Sequence, residues 1–257
     1  MDESPIIKLT PAIEDHAALL ALNSQRAYEK ASELYEKEFW GPRGYKSAKD
    51  HLYYIEKLDT FSILYDEVIV GGLIISDNGF DVKEIVRVFV DPDFWGNGIG
   101  SAALKIAMDN INAKAWTCGT IDWNQMNQNF LEKNGFKRIG QIKGDESRIW
   151  YQNKVEELEL PSIEELSTDM NRIVVEGTIV EKAVPRQVRS KRRWQTLTVT
   201  EATLKDNTDD IVLVLWNEQI KQCVVDDRVR IEGGYMKKYR GLRQLNVGKV
   251  GKLITLD

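Results

Sequence analysis

Along the first half of the chain the apolar positions change period several times, and each change marks an element. Pro5-Ile6-Ile7-Lys8-Leu9 reads as a short strand. From Ala12 to about Lys37 the apolar positions follow a helical repeat, with Ala18, Leu19, Leu20 and Leu22 on one face. Gly and Pro then punctuate Phe39-Trp40-Gly41-Pro42-Arg43-Gly44-Tyr45, which predicts a loop. Ser47 to Lys57 is a second helix with Ser47 as its N-cap. Thr60–Tyr65 and Val68–Ser76 form a strand pair around Asp66-Glu67, Asp77-Asn78-Gly79 is a turn, and Val82–Asp91 is a long strand. A helix follows, then a strand over Ala113–Thr120. The next helix turns Phe130 and Leu131 inward and stops at Asn134-Gly135, and a strand starts at Phe136. The order is β, α, α, β, β, β, α, β, α, β, β, without an internal repeat.

The second half has a different texture. Val155 to Thr168 carries five glutamates and Pro161; its first part, 155–161, reads as a solvated acidic linker. Ser162-Ile163-Glu164-Glu165 is a capping box. Short β-rich runs follow at Arg172–Val180, Trp194–Leu204, Ile211–Trp216, Arg228–Tyr235 and Leu242–Ile254, with a helical piece near Glu218–Cys223. Five strands with an element between the third and fourth is the plan of an OB-fold barrel. The expected organisation is an α/β (α+β) domain over 1–154, with a mixed and mostly antiparallel sheet, and an all-β OB barrel over 162–257.

Composition narrows the function classes. The 257 residues are 42% hydrophobic, enough for real cores. No apolar run is long enough to span a membrane, and the acidic Met1-Asp2-Glu3-Ser4-Pro5 start is no signal peptide. Two cysteines, Cys118 and Cys223, and two histidines, His16 and His51, argue against a structural metal site and for a cytoplasmic protein. The net charge of −5 hides an asymmetry. Residues 1–169 carry 18 Lys/Arg against 29 Asp/Glu, and residues 170–257 carry 17 against 11, or −11 and +6. The two halves are thus expected to meet different partners.

The chemistry starts at Val86-Arg87-Val88-Phe89-Val90-Asp91-Pro92-Asp93-Phe94-Trp95-Gly96-Asn97-Gly98-Ile99-Gly100-Ser101. A buried strand runs into three alternate glycines and then a helix. Such a turn lets backbone approach a ligand, and the helix start offers free amides to an anion. G-x-G-x-G is not the dinucleotide spacing, and no G-K-[S/T] follows for a P-loop.

The segment resembles motif A of the GNAT N-acetyltransferase superfamily, Q/R-x-x-G-x-G/A, with Gly98 and Gly100 on its glycines and Trp95 where Gln or Arg is usual. Asn124-Gln-Met-Asn127-Gln-Asn-Phe130-Leu131-Glu132-Lys133-Asn134-Gly135-Phe136 resembles a later signature of the same family. The resemblance covers roughly residues 5 to 152. It implies acetyl-coenzyme A as acyl donor and an amine, small molecule or protein, as acceptor. It also implies that the backbone of Val88, Phe89 and Val90 pairs with pantetheine. Trp95, Gly96, Asn97, Gly98, Ile99, Gly100 and Ser101 would take the pyrophosphate, and Asn124 would touch the pantetheine arm. Glu84 lies fourteen residues before Gly98, the offset of the catalytic glutamate in histone-type members. It reads as the general base or as a solvent-facing glutamate at a hairpin end. The family's usual tyrosine acid falls on Leu131, which cannot donate a proton. The acceptor region holds Tyr28, Tyr35, Glu36, Glu38, Phe39, Trp40, Tyr45, Tyr53 and Tyr54. Aromatics with acids suit a cationic amine, against the plainer reading of helix core and solvated face.

Residues 162–257 resemble the OB domains of archaeal single-stranded-DNA-binding proteins related to replication protein A. The matches include Asp227-Arg-Val229-Arg-Ile231-Glu-Gly233-Gly234-Tyr235 and Leu213-Val-Leu215-Trp216-Asn-Glu-Gln219; Asn207-Thr208-Asp209-Asp210 departs at a hairpin turn. Arg186, Arg189, Lys191, Arg192 and Arg193 precede the second strand, with Trp194 expected to face outward. Lys237, Lys238, Arg240 and Arg243, with Tyr235 and Tyr239, lie between the fourth and fifth strands. Cations interleaved with aromatics suit single-stranded nucleic acid; a protein-binding or merely solvated surface is the alternative. The combined expectation is an N-acetyltransferase carrying a nucleic-acid-binding OB domain, or an acyl-coenzyme A-binding but catalytically weak GNAT module on the same domain.

Overall fold

In a computed structural model, the structure describes residues 6–38, 40–144, 147–154, 158–189, 196–248 and 251–257. The N-terminal half runs β1 (Ile7–Pro11), α1 (Ala17–Leu34), α2 (Ala48–Lys57), β2 (Asp59–Tyr65), β3 (Val68–Gly79), β4 (Val82–Val90), α3 (Ile99–Asn110), β5 (Ala115–Ile121), α4 (Gln125–Lys133), β6 (Lys137–Ile142) and β7 (Arg148–Lys154). The order is the expected one. The Ser47 hydroxyl caps α2 by accepting from Asp50 N at 3.2 Å. Gly135, at φ 82°, ends α4 in the left-handed conformation that lets Phe136 N reach back to Leu131 O at 3.0 Å. One expected turn moves. Asp77, Asn78 and Gly79 are strand, and the hairpin turns on Phe80 and Asp81, both at positive φ.

The C-terminal half holds β8 (Asn171–Lys182), β9 (Arg186–Arg189), β10 (Thr196–Lys205), β11 (Asp210–Trp216), β12 (Arg228–Tyr239), β13 (Leu242–Asn246) and β14 (Lys252–Leu256). Pairings β8–β10–β11–β13–β12 return to β8, so five strands close on themselves around a core that includes Ile173, Leu204, Leu213, Ile231 and Leu245. The last expected strand is two strands, split around Val247-Gly248, and β9 is additional. In the atypical 207–210 turn, the Asp206 carboxylate accepts from Thr208 N at 2.7 Å and Asp209 N at 3.0 Å. These bonds outweigh burial and hold its pKa at about 2.

The two halves are welded. β6 pairs antiparallel with β14, Gln141 opposite Thr255 and Gly140 opposite Leu256, so one sheet runs through both. Leu158 and Leu160, expected in a solvated linker, are half-buried against Val82, Ala115 and Val174. Ion pairs cross at Arg138–Asp257 (2.8 Å) and Lys143–Asp227 (2.9 Å).

Candidate active site and ligand faces

Strands β4 and β5 run parallel but pair only from Val82–Ala115 to Ile85–Cys118. Beyond that point they part, and the edge of β4 from Val86 to Val90 faces an opening. A cavity of about 370 Å³ lies there, lined among others by Tyr28, Val88, Phe89, Val90, Gly98 and Asn124. Gly96 (φ 83°) and Gly98 (φ 72°) form its rim, and a Cβ on either would meet no atom within 4 Å. Gly98 caps α3 without any side-chain bond, so the first amides of the helix point into the opening unclaimed. Trp95 is tied back by its indole N–H donating to Val90 O at 2.6 Å. Asn124 is buried and caps α4, accepting from Asn127 N at 3.0 Å. The arrangement suits a long ligand with an anionic end at the glycines and an extended arm along β4.

Ten of the eleven residues expected at the cofactor turn and arm line the cavity; Asn97 does not, and its side-chain amide donates to Phe94 O at 3.1 Å. The structure adds Ala27, Ala31, Phe94, Met126, Phe130 and Lys133. Leu131 is buried in the core under α3 and α4 and offers nothing to the cavity.

Glu84 sits elsewhere. It is buried, which overturns the solvent-facing reading, and it is not among the cavity-lining residues. Its carboxylate accepts from Lys252 of β14 and, at 3.3 Å each, from Ser76 Oγ and Asn78 Nδ2. Asn78 Nδ2 also reaches Glu232 Oε2 at 3.1 Å, and Thr117 Oγ1 donates to the same oxygen at 3.2 Å. Burial raises the Glu232 pKa, against the lowering effect of Arg230. Arg230 in turn bonds Gln152 and Glu176. The glutamate thus belongs to a polar cluster sealed between the two halves.

In the acceptor region the aromatics assemble and the acids do not. Tyr28 contacts Trp40 and Tyr45 edge-on (6.2 and 5.7 Å), and Trp123 joins Trp40 and Tyr35 (5.9 and 5.6 Å). Glu36 and Glu38 are exposed, as is Tyr53; Phe39 lies outside the described residues. Tyr54 donates to Arg43 O at 3.2 Å.

On the barrel, Arg189, Lys237, Lys238, Tyr239 and Arg240 are exposed, and the Arg240 guanidinium lies 5.4 Å from the Tyr239 ring centroid. Tyr235 is 39% exposed, on the same side of β12 as Lys237. Arg186 is exposed and 3.9 Å from Glu201. Arg243 is engaged structurally, donating to Asp209 at 2.9 Å and Leu166 O at 2.8 Å. Lys191, Arg192, Arg193 and Trp194 lie outside the described residues. Trp216 is half-buried.

Residues 23–136 match the model of the acetyltransferase (GNAT) family, and residues 166–255 that of the single-stranded DNA binding protein Ssb-like OB fold. The chain joins a GNAT domain to an Ssb-like OB-fold domain. A GNAT-family acetyltransferase from Streptococcus agalactiae shares the N-terminal fold at TM-score 0.53 and 17% identity, over 59% of this chain and 96% of that one. The PaiA N-acetyltransferase of Thermoplasma acidophilum, solved with coenzyme A, matches at TM-score 0.49 and 14% identity over 58% and 99%. An OB domain from Thermoplasma acidophilum matches at TM-score 0.34 and 22% identity over 38% of this chain and 87% of its own. No curated protein matches the chain.

Two features of the GNAT domain escaped sequence reasoning. Lys133 stands in the quoted signature, but only the fold brings its cation to the cavity. Arg87 interrupts an otherwise apolar strand, Val86-Arg87-Val88-Phe89-Val90, and that interruption was the available signal.

Proposed function

We propose that the protein transfers the acetyl group of acetyl-coenzyme A to an amine, and that its OB domain binds single-stranded nucleic acid or a nucleic-acid-bound partner. The observation that carries the first part is the parting of β4 and β5 beside a glycine rim and an uncapped helix start. Unclaimed amides from Gly96 to Ser101 fit a pyrophosphate, with Lys133 adding charge. The edge of Val88–Val90 away from β3, where Val90 O already accepts from Trp95, fits the amides of pantetheine, and Asn124 fits its far end.

Transfer then needs a neutral amine held against the thioester and a proton for the departing thiolate. Glu84 is our candidate base. It shares a sheet face with Arg87 and lies beside the point where the strands part, but it must release Lys252 before it can accept a proton. Tyr28 is our candidate donor. Burial pushes its phenol pKa up, with Arg87 opposing, so the hydroxyl keeps its proton at neutral pH. A second reading, a module that binds acyl-coenzyme A with weak turnover, is favoured by Leu131 and by the Lys252 clamp on Glu84.

Titrating the full chain with acetyl-coenzyme A and following thiol release over a panel of amines separates the two. Binding with turnover supports the enzyme, binding without turnover supports the sensor, and no binding removes both. The OB reading rests on exposed Arg189, Lys237 and Lys238, which have no carboxylate within 4.0 Å among the described residues, and on the Tyr239–Arg240 stack. Anisotropy of labelled single strands with the full chain, read against salt, tests it.

A further inference from the structure

Arg87 is 5% exposed, and no carboxylate lies within 4.0 Å of it among the described residues. Its Nη2 donates to Arg43 O and, at 3.0 Å, to Tyr54 Oη, while its guanidinium carbon stands 4.8 Å over the Tyr54 ring. Nε and Nη1 are buried and donate to nothing among the described residues. A guanidinium removed from water without a counter-ion is costly, and its unmet N–H groups add to that cost.

The surroundings deepen the imbalance. Arg87 pairs with Ile74 across the ladder, so it faces α1 and α2, as Phe89 does. His51 of α2 stacks on Phe89 (5.8 Å, 14°), is 1% exposed, and has no partner for either ring nitrogen among the described residues. Burial and then Arg87 hold its pKa at about 4, so the ring is neutral and does not repel an anion. Arg87 is not itself among the cavity-lining residues; Tyr28, whose phenol its charge acts on, and Phe89, two residues along the same face of β4, both line the cavity and separate the guanidinium from it.

We infer that Arg87 is a carboxylate-recognition residue of the acceptor site, and that the acceptor is a small amino-carboxylate rather than a polyamine. This rests on the acetyl-transfer reading above. Arg87 lies in the stretch of β4 that does not pair with β5, one residue from Val88, whose backbone is proposed to hold the pantetheine arm. A carboxylate on Arg87 therefore leaves only a short span to the thioester, which suits an α- or β-amino acid. A polyamine would bring a second cation against a guanidinium that already lacks an anion. Glu36 and Glu38 are exposed, and neither forms an ion pair with Arg87.

The test uses the full chain saturated with coenzyme A. Calorimetry compares N-acetyl derivatives of glycine, alanine, leucine and glutamate with the matching N-acetyl amides. In parallel, thiol release from acetyl-coenzyme A is followed with the free amino acids and their amides. The carboxylates should bind about tenfold or more tightly than the amides. Arg87→Gln should bring that ratio near one with acetyl-coenzyme A affinity kept, and Arg87→Lys should retain part of it. Equal binding of acid and amide by the parent protein, or no binding of either series at millimolar concentration, overturns the inference without any variant. Carboxylate-selective binding with no thiol release from any amine would leave the Arg87 site standing and remove the transferase reading instead.

Discussion

Removing Lys252 tests the seam and the candidate base together. Lys252→Met strips the cation from a carboxylate whose side chain is 6% exposed, while the lysine itself is 23% exposed. Glu84 would keep only Ser76 and Asn78, each at 3.3 Å, with the buried Glu232 close by on the same asparagine. Orphaning one member of a buried pair costs about 3–5 kcal/mol. Partial solvent access at Lys252 places the expectation at the low end, about 3 kcal/mol. Glu84→Gln in the same background removes the stranded charge and should recover most of the loss. Urea unfolding of the parent, both single variants and the double variant, followed by tryptophan fluorescence, gives the coupling energy. A Lys252→Met loss below about 0.5 kcal/mol, or coupling indistinguishable from zero, would mean the pair is screened and the seam argument is wrong. The same proteins separate the two roles of Glu84. A base predicts a fall of about 10²–10⁴-fold in turnover for Glu84→Gln under conditions where it is fully folded. A purely structural glutamate predicts no such fall.

Gly98→Val should abolish acetyl-coenzyme A binding while leaving the OB domain folded. It forces a β-branched residue to φ 72° and fills the open rim; unchanged affinity by calorimetry refutes the anion-turn reading. Stability should fall as pH drops from 6.5 towards 4, because the unfolded chain protonates His51 before the folded chain does. The slope is positive with pH in that window, and His51→Phe should flatten it; an unaltered profile counts against the buried neutral ring. The Cys118 thiol, pushed up to about 12 by burial and Glu84, should resist alkylation at pH 8 until the protein unfolds, and rapid native labelling contradicts this. Single-strand binding should weaken with salt at a log–log slope of about −0.7 per phosphate contacted, and Trp194→Ala should cost about 1–3 kcal/mol; salt-independent binding would point to a protein partner.

The element order and the glycine rim were legible in the sequence because local chemistry fixes them. Gly96 and Gly98 occupy positions that need positive φ, and the apolar run Val88–Val90 ends a strand that is central in the sheet. The placement of Glu84 was not legible. Its offset from Gly98 carries no information about Lys252, which lies 168 residues away and reaches it only because the two halves pack together. The Asp77–Gly79 turn was misplaced for a related reason. Turn-forming residues were drawn into β3, where Gly79 lies against the Arg172 carbonyl and Asn78 bonds Glu232. Tertiary contact overrode local propensity at both sites.

The shared sheet also bears on how the chain is made. Strand β6 has β7 on one side and waits for β14 on the other, and Gly140 approaches the Thr255 carbonyl so closely that a Cβ there would sit 2.1 Å from it. During synthesis β6 emerges early, whereas β14 follows only after the whole OB barrel has left the ribosome. In that interval the nascent GNAT domain presents an open strand edge, the kind of surface on which neighbouring chains pair and aggregate. Chaperone dependence of the full-length protein, and poor yield of the GNAT half expressed alone, would both trace to this edge.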